Sequence, residues 1–233
     1  MKAVILAAGK GIRMLPLTKE RPKHLIEVAG KPFLHYVINA VHKAGISDIG
    51  IVTHYKEEMI ADFIKEENID AELIHQENTN GTGAAIMSAK DFTEGKDFIV
   101  LMGDGLYSYL DIKKLNNGDA FWYLACKKHE NPERYGVIVL GDNGFIRKII
   151  EKPKEPPSKL INIGLYKFKA DVYEKLEAAP ISERGEIEVI YALNKACEER
   201  KLKALITDYW ADLGRPEDIP IVERIIKEGR FPL

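Results

Sequence analysis

The feature that most constrains the fold is an alternation: short runs of Val, Ile and Leu give way repeatedly to stretches whose apolar residues follow helical spacing. Residues Lys2–Leu6, Ile49–Thr53, 71–74 and Phe98–Met102 are apolar runs of strand length. Between the first two, Phe33, Leu34, Val37, Ile38 and Val41 fall on one helix face, with Pro32 suited to its first turn and Gly45 to its C-terminal cap. Met59, Ile60, Phe63 and Ile64 form a second such face. Strands alternating with helices predict an α/β fold, a Rossmann-like mixed, mostly parallel sheet flanked by helices. The middle of the chain differs. Runs 135–140 and 145–150 are separated by Gly141-Asp142-Asn143-Gly144, which predicts a small β-hairpin extension. A proline-rich connector at 152–157, a strand over Leu160–Phe168, a helix after Glu188 and a closing helix after Pro216 complete the expectation.

At 233 residues the chain suits one domain, 1–233, with no room for a second independent core. Lys+Arg of 34 against Asp+Glu of 36 leaves a net charge of -2, so no basic footprint points to a nucleic-acid partner. The first apolar run ends in glycine and charge and is too short for a signal peptide or a membrane span. A cytoplasmic location with no membrane partner is the expectation. Cys126 and Cys197 have no Cys or His at metal-ligand spacing and read as core thiols. The six histidines, His24, His35, His42, His54, His75 and His129, show no metal spacing either and are assigned no role.

Strand one ends near Ala7 and the next convincing helix begins at Pro32, whereas such connections usually take about 2–6 residues. A long loop at the carboxyl end of the first parallel strand is usually functional. It reads Leu6-Ala7-Ala8-Gly9-Lys10-Gly11-Ile12-Arg13-Met14-Leu15-Pro16-Leu17-Thr18, then Arg21-Pro22-Lys23, and closes with Gly30-Lys31-Pro32. Glycines let backbone N–H groups approach phosphates, and Arg13 and Lys23 supply positive charge. Two familiar glycine loops do not fit. A P-loop requires Gly-Lys-Ser/Thr after four intervening positions, which Gly9 lacks. A dinucleotide loop requires a third glycine where Met14 stands and an acidic residue after strand two, where Thr53 and His54 stand.

The run from Leu6 to Pro32 resembles the signature loop of the sugar-1-phosphate nucleotidyltransferases, the family of glucose-1-phosphate thymidylyl- and uridylyltransferases. Gly9, Gly11, Arg13, Pro16, Leu17, Thr18, Pro22, Lys23, Gly30, Lys31 and Pro32 all sit in its pattern. The resemblance implies a nucleotide-binding surface from Leu6, Ala7, Ala8, Gly9, Gly11, Arg13 and Lys23, with the arginine on the leaving phosphates. Further segments match in chain order. Gln76 with Gly81-Thr82-Gly83 suits a base, since a side-chain amide pairs with a base edge and a glycine turn admits it. Asn78-Thr79-Asn80 departs there from the family's commoner Leu before Gly-Thr. Gly103-Asp104 follows an apolar strand, where a carboxylate suits Mg2+ that also takes phosphate oxygens. Trp210-Ala211-Asp212-Leu213-Gly214-Arg215-Pro216 is similar to the element that supplies a second metal ligand, here Asp212. Tyr135-Gly136-Val137, Glu151-Lys152-Pro153, Asn162-Ile163-Gly164 and Gly185-Glu186 complete the match. It assigns Gly136, Glu151, Asn162 and Glu186 to sugar hydroxyls and Lys152 to the sugar phosphate. Residues 1–127 then form mainly a nucleotide-binding half, and 128–233 mainly a sugar-binding half.

The implied reaction joins a nucleoside triphosphate, dTTP or UTP, to a sugar 1-phosphate such as glucose 1-phosphate and releases pyrophosphate. A homo-oligomer is compatible with the sequence. A phosphate monoester with a second pKa of about 6 is already largely dianionic near neutrality, so the nucleophile needs no protein base. Catalysis then rests on positioning and charge neutralisation by Arg13, Lys23, Asp104, Lys152 and Asp212. Two other readings stay open. CTP or GTP could serve with another sugar phosphate or a non-sugar phosphate. A non-catalytic nucleotide-sugar sensor would keep the fold, yet it would be expected to lose one of Arg13, Asp104, Lys152 or Asp212, and all four are present.

Overall fold

The computed structural model describes residues 1–78 and 80–233; Thr79, the centre of the Asn78-Thr79-Asn80 departure, lies outside the described residues. The first half of the chain runs through β1 (Lys2–Leu6), β2 (Glu27–Val28), β3 (Lys31–Pro32), α1 (Phe33–Lys43), β4 (Ile49–Thr53), α2 (Glu57–Glu66), β5 (Glu72–His75), α3 (Thr82–Ser88), α4 (Lys90–Thr93) and β6 (Phe98–Met102). Next come β7 (Gly105–Tyr107), α5 (Tyr109–Leu115), β8 (Trp122–Lys128), β9 (Gly136–Leu140), β10 (Ile146–Glu151) and β11 (Leu160–Phe168). The chain closes with α6 (Val172–Glu177), α7 (Val189–Glu198), β12 (Leu202–Ile206), β13 (Trp210–Asp212) and α8 (Ile219–Lys227).

β4 and β6 flank β1 in parallel, and β5 pairs in parallel with β4. β11 runs antiparallel to β6 on one side and to β8 on the other, and β12 is parallel to β8. The main sheet therefore has the order β5-β4-β1-β6-β11-β8-β12 with β11 alone reversed, a mixed and mostly parallel sheet. The β9–β10 hairpin branches from it where Val137 meets Ile161 near the start of β11. Strand order turns back at β1, and ligands of such sheets bind beyond the strand carboxyl ends at that point.

Both faces of the sheet are covered, which is why β1 is apolar without interruption. Ala3, Ile5 and Ala7 face a core closed by Phe33, Val37 and Val41 of α1, Ile60 of α2, Ile112 of α5 and Val222 of α8. Val4, Leu6 and Ala8 face the opposite core, closed by Ile86 of α3, Val172 and Leu176 of α6 and Leu193 of α7. Cys126 and Cys197 are buried in this second core, and burial pushes both thiols up to about 12. The outer edge of the hairpin is blunted by Asn194, whose amide oxygen accepts from Ile149 N–H (2.8 Å) and whose NH2 donates to Ile149 C=O (2.9 Å). An amide so placed occupies groups that would otherwise pair with another strand.

The structure shifts several expected boundaries. The third strand starts one residue later than the apolar run at 71–74, and Pro32 stands in β3 just before the first turn of α1 rather than within it. Gly45, with φ +82, follows the Ala44 cap as expected. The sequence does not mark β8 and β12 as strands, because Ala125, Lys127 and Lys128 in one and Lys203 and Ala204 in the other break the branched apolar run. Among the described residues no helix is long and apolar enough to cross a membrane.

Candidate active site

The carboxyl ends of β1 and β6, the loop after β1 and the inner side of the hairpin enclose a cleft of about 580 Å³. The long loop is not a free coil. It is threaded through three single 3-10 turns, Ile12–Met14, Leu17–Lys19 and Lys23–Leu25, which pack Met14 and Thr18 inward. Gly11 at φ +63 makes this path available, and a Cβ there would lie 3.0 Å from Thr18 Cγ2 and 3.2 Å from Lys23 Cβ. Thr18 Oγ1 donates to Gly11 C=O at 2.9 Å, so the turn that carries Lys23 is tied to the glycine segment.

Asp104 leaves the end of β6 and is immediately followed by β7, which pairs antiparallel with β13. The register sets Gly105 opposite Asp212, and Leu213 N–H donates to Asp104 C=O at 2.9 Å. That two-stranded ribbon brings together two aspartates that lie far apart in sequence. Lys23 Nζ donates to Asp104 Oδ2, both side chains being largely buried. Burial alone would raise the Asp104 carboxyl, but the charge and hydrogen bond of Lys23 hold it below its ordinary value. Among the described residues Asp212 has no such partner: burial, and then the Asp104 charge, push its carboxyl up to about 7. The cleft thus holds a second carboxylate whose negative charge Lys23 does not fully compensate. Two carboxylates so placed would suit a hard divalent cation such as Mg2+. No group of three or more candidate metal ligands occurs among the described residues.

On the hairpin side, Glu151 ends β10 opposite Gly136 of β9, and a Cβ at Gly136 would lie 3.3 Å from Glu151 Oε2. Lys152 follows with φ +40, a conformation that a non-glycine side chain adopts at some cost. Its N–H still donates to Tyr135 C=O (3.0 Å), which holds the turn, and its Nζ lies 3.2 Å from Glu151 Oε1. Asn162 marks an irregularity in β11: its Oδ1 accepts from Gly164 N–H (2.9 Å) and its NH2 donates to Tyr166 OH (2.9 Å). Tyr107 OH supports the same kink by donating to Ile163 C=O at 2.9 Å.

Of the residues named from sequence, Leu6, Ala8, Gly9, Arg13, Lys23, Gln76, Gly81, Thr82, Asp104, Gly136, Glu151, Lys152, Asn162, Glu186 and Asp212 all line this one cleft. Ala7, Gly11 and Gly103 do not. Ala7 turns into the α1-side core, and a Cβ at Gly103 would meet Leu6 C=O at 2.8 Å and His24 Cδ2 at 2.9 Å, so both stand behind the wall. Three charged side chains escaped the sequence reading: Arg134, Arg184 and Glu188 also line the cleft. The first two directly precede the Tyr135-Gly136 and Gly185-Glu186 segments, and that adjacency was the available signal. Arg184 reaches Glu188 Oε1 at 3.0 Å and Glu186 Oε2 at 3.4 Å. His24 also reaches the cleft. Burial, and then the Lys23 charge, lower it to about 3, so it is neutral, and its Nδ1 has no partner among the described residues.

The segment carrying Glu186 is fastened to the turn carrying Gly81. Ile187 N–H donates to Asn80 C=O (2.7 Å), Gly83 N–H donates to Ile187 C=O (2.8 Å), and a Cβ at Gly81, φ +105, would lie 2.5 Å from that same oxygen. The Gly81 turn and the Glu186 segment are therefore joined into one backbone unit.

A mostly parallel sheet whose switch point opens on a glycine loop, two aspartates and five basic side chains, Arg13, Lys23, Arg134, Lys152 and Arg184, defines an α/β domain with its cleft at the strand carboxyl ends. The nucleotidyl transferase family model matches residues 2–228, and the chain belongs to that family. It is 40% identical over 220 residues to "Bifunctional protein GlmU" of Methanocaldococcus jannaschii, a match covering 94% of this chain and 52% of the relative. It is 39% identical over 223 residues to the "Bifunctional sugar-1-phosphate nucleotidylyltransferase/acetyltransferase" of Sulfurisphaera tokodaii, covering 94% of this chain and 54% of the relative. The chain thus spans about half the length of these relatives. Among solved structures, a putative glucose-1-phosphate thymidylyltransferase from Bacillus anthracis, in complex with a sucrose, superposes with a TM-score of 0.88 at 26% identity, covering 98% of this chain and 96% of that one.

Proposed function

We propose that the cleft transfers a nucleotidyl group from dTTP or UTP to a sugar 1-phosphate, with glucose 1-phosphate the first acceptor to try, and releases pyrophosphate. The observation that carries the reading is the Asp104–Asp212 pair, held across the β7–β13 ribbon between the glycine loop and the hairpin. The sugar-1-phosphate nucleotidylyltransferase name of the Sulfurisphaera relative and the thymidylyltransferase name of the Bacillus structure support the same class.

The chain's own groups divide the work. Backbone around Gly9 and the Arg13 guanidinium receive the triphosphate, and Arg13 stabilises charge that gathers on the departing pyrophosphate. Lys152, beside Glu151 at the hairpin end, orients the phosphate of the acceptor. Glu151, Asn162 and Glu186 offer acceptors to sugar hydroxyls. The acceptor phosphate, about pKa 6 for its second proton, attacks the α-phosphorus in line without a protein base. Asp104 and Asp212 would hold Mg2+, which when bound neutralises phosphate charge. Lys23, whose Nζ donates to Asp104 Oδ2, would supply positive charge to the phosphates beside that ion.

For the base, Gln76 is the polar group that the wall presents beside Gly81-Thr82. Pyrophosphate release measured for five triphosphates against a panel of sugar phosphates tests the proposal. Release should require both substrates and favour dTTP or UTP, because polar groups left unpaired by a wrong partner cost several decades in kcat/KM. Preference for a purine refutes the pocket reading. Preference for CTP with a non-sugar phosphate replaces the acceptor.

A further inference from the structure

His54 stands outside the cleft, one residue past β4, and no part of the reaction described above uses it. Its surroundings are built nonetheless. Gln76, only 3% exposed, is held at three of its four polar groups. Its N–H donates to Thr53 C=O (2.8 Å), its C=O lies 2.7 Å from His54 Nδ1, and its Nε2 donates to Asn78 C=O (2.7 Å). A carbonyl only accepts, so Nδ1 of His54 carries the hydrogen and the NH2 of Gln76 faces Asn78. The remaining group, Oε1, has no donor among the described residues, and Gln76 is part of the cleft wall.

We propose that His54 is a positioning residue for base selection: by pinning the Gln76 carbonyl it holds the 76–78 turn that locks the amide with Oε1 toward the base. The inference rests on the dTTP or UTP reading above. Uracil and thymine present an N3–H donor at the edge where cytosine presents a bare N3 acceptor. A locked Oε1 accepts from the first two and sets lone pair against lone pair with the third. Turning the amide to suit cytosine would point Oε1 at the Asn78 oxygen, and the His54 bond keeps that turn from moving aside to permit it. His54 is itself braced. Its ring lies 5.7 Å from that of His75, whose Nδ1 is 2.9 Å from Glu57 Oε2, and the same oxygen accepts from Thr53 Oγ1 at 2.6 Å.

Two substitutions separate the donor from the ring. His54→Phe keeps the ring and removes the donor; His54→Asn removes the ring and keeps an N–H near the Nδ1 position. The measurement is kcat/KM for UTP and for CTP at one saturating sugar phosphate, with thermal unfolding of each variant. His54→Phe should lower the UTP to CTP ratio about fivefold to tenfold, the worth of one hydrogen bond, with the KM for the sugar phosphate unchanged. His54→Asn should keep the wild-type ratio. His54→Ala, lacking both, should behave as His54→Phe and preserves the comparison if phenylalanine is not accommodated. A role in packing alone would rank the variants the other way, and that ranking, or an unchanged ratio in all three, overturns the proposal. Wild-type preference for CTP or a purine would instead overturn the dTTP or UTP reading on which it stands, before any variant is compared.

Discussion

Replacing Asp212 with asparagine should stabilise the ligand-free protein above pH 7 while disabling transfer. Burial and the neighbouring Asp104 charge move the Asp212 carboxyl from its ordinary 3.8 to about 7, which corresponds to about 4 kcal/mol of unfavourable interaction with the ionised form. The carboxyl is raised in the folded state, so between these two values the folded protein holds a proton that the unfolded chain has released. Wild-type stability therefore falls as pH rises through that window, and the loss is complete above pH 7. Asparagine keeps the shape and carries no charge, so it escapes the loss. The carboxyl is partly open to the cleft, and solvent screening reduces the gain to about 2 kcal/mol, or roughly 4–8 °C in Tm for a chain of this size. Thermal unfolding in chelator over pH 4–8 should show a difference that grows between pH 4 and 7 and then levels. In the same variant kcat should drop by two or more decades, because a charge that stabilises the transition state is gone. An Asp212→Asn protein that is no more stable than wild type at pH 8, or whose gain does not vary with pH, would refute the account of the carboxylate pair.

Activity should require a divalent ion, and Asp104→Asn should lose two or more decades of kcat with an unchanged circular dichroism spectrum; full turnover in excess chelator would sink the metal assignment. Lys152→Ala should raise the KM for the sugar phosphate with little effect on triphosphate binding, measured separately by titration; damage confined to the triphosphate would reverse the assignment of the hairpin side. Stability should depend on an ion pair remote from the cleft. Lys167 is fully buried in β11 and bound to Asp119 Oδ1 (2.7 Å) and Asn117 Oδ1 (2.6 Å), so Asp119→Ala should cost about 3 kcal/mol in urea unfolding. Lys167→Met should cost much less, and a larger loss in methionine than in alanine would contradict that reasoning.

Much of the cleft was legible in the chain because its residues cluster in short local motifs. The glycine loop, the Gly81-Thr82 turn, the Glu151-Lys152 corner and the two aspartates each stand in a short segment that resembles a motif of one family, and all of them meet in one cavity. The first parallel strands were legible too, since a sheet covered on both faces demands unbroken apolar runs such as Lys2–Leu6 and Phe98–Met102. Other features depended on partners far away in sequence. β12 and β8, with lysines and alanines among their residues, are strands because they lie beside each other and β11, not because of any periodicity of their own. Arg134, Arg184 and Glu188 carry no motif, and only the folding of the hairpin and of the 181–188 segment over the sheet turns them into the cleft. The different states of the two aspartates were likewise decided in three dimensions. Both are the same residue type at the same kind of position, but Lys23 reaches Asp104, whereas Asp212 is left to burial and to its neighbour's charge. Composition determines which groups can ionise; the distance between them and the water excluded around them determine at what pH they do so.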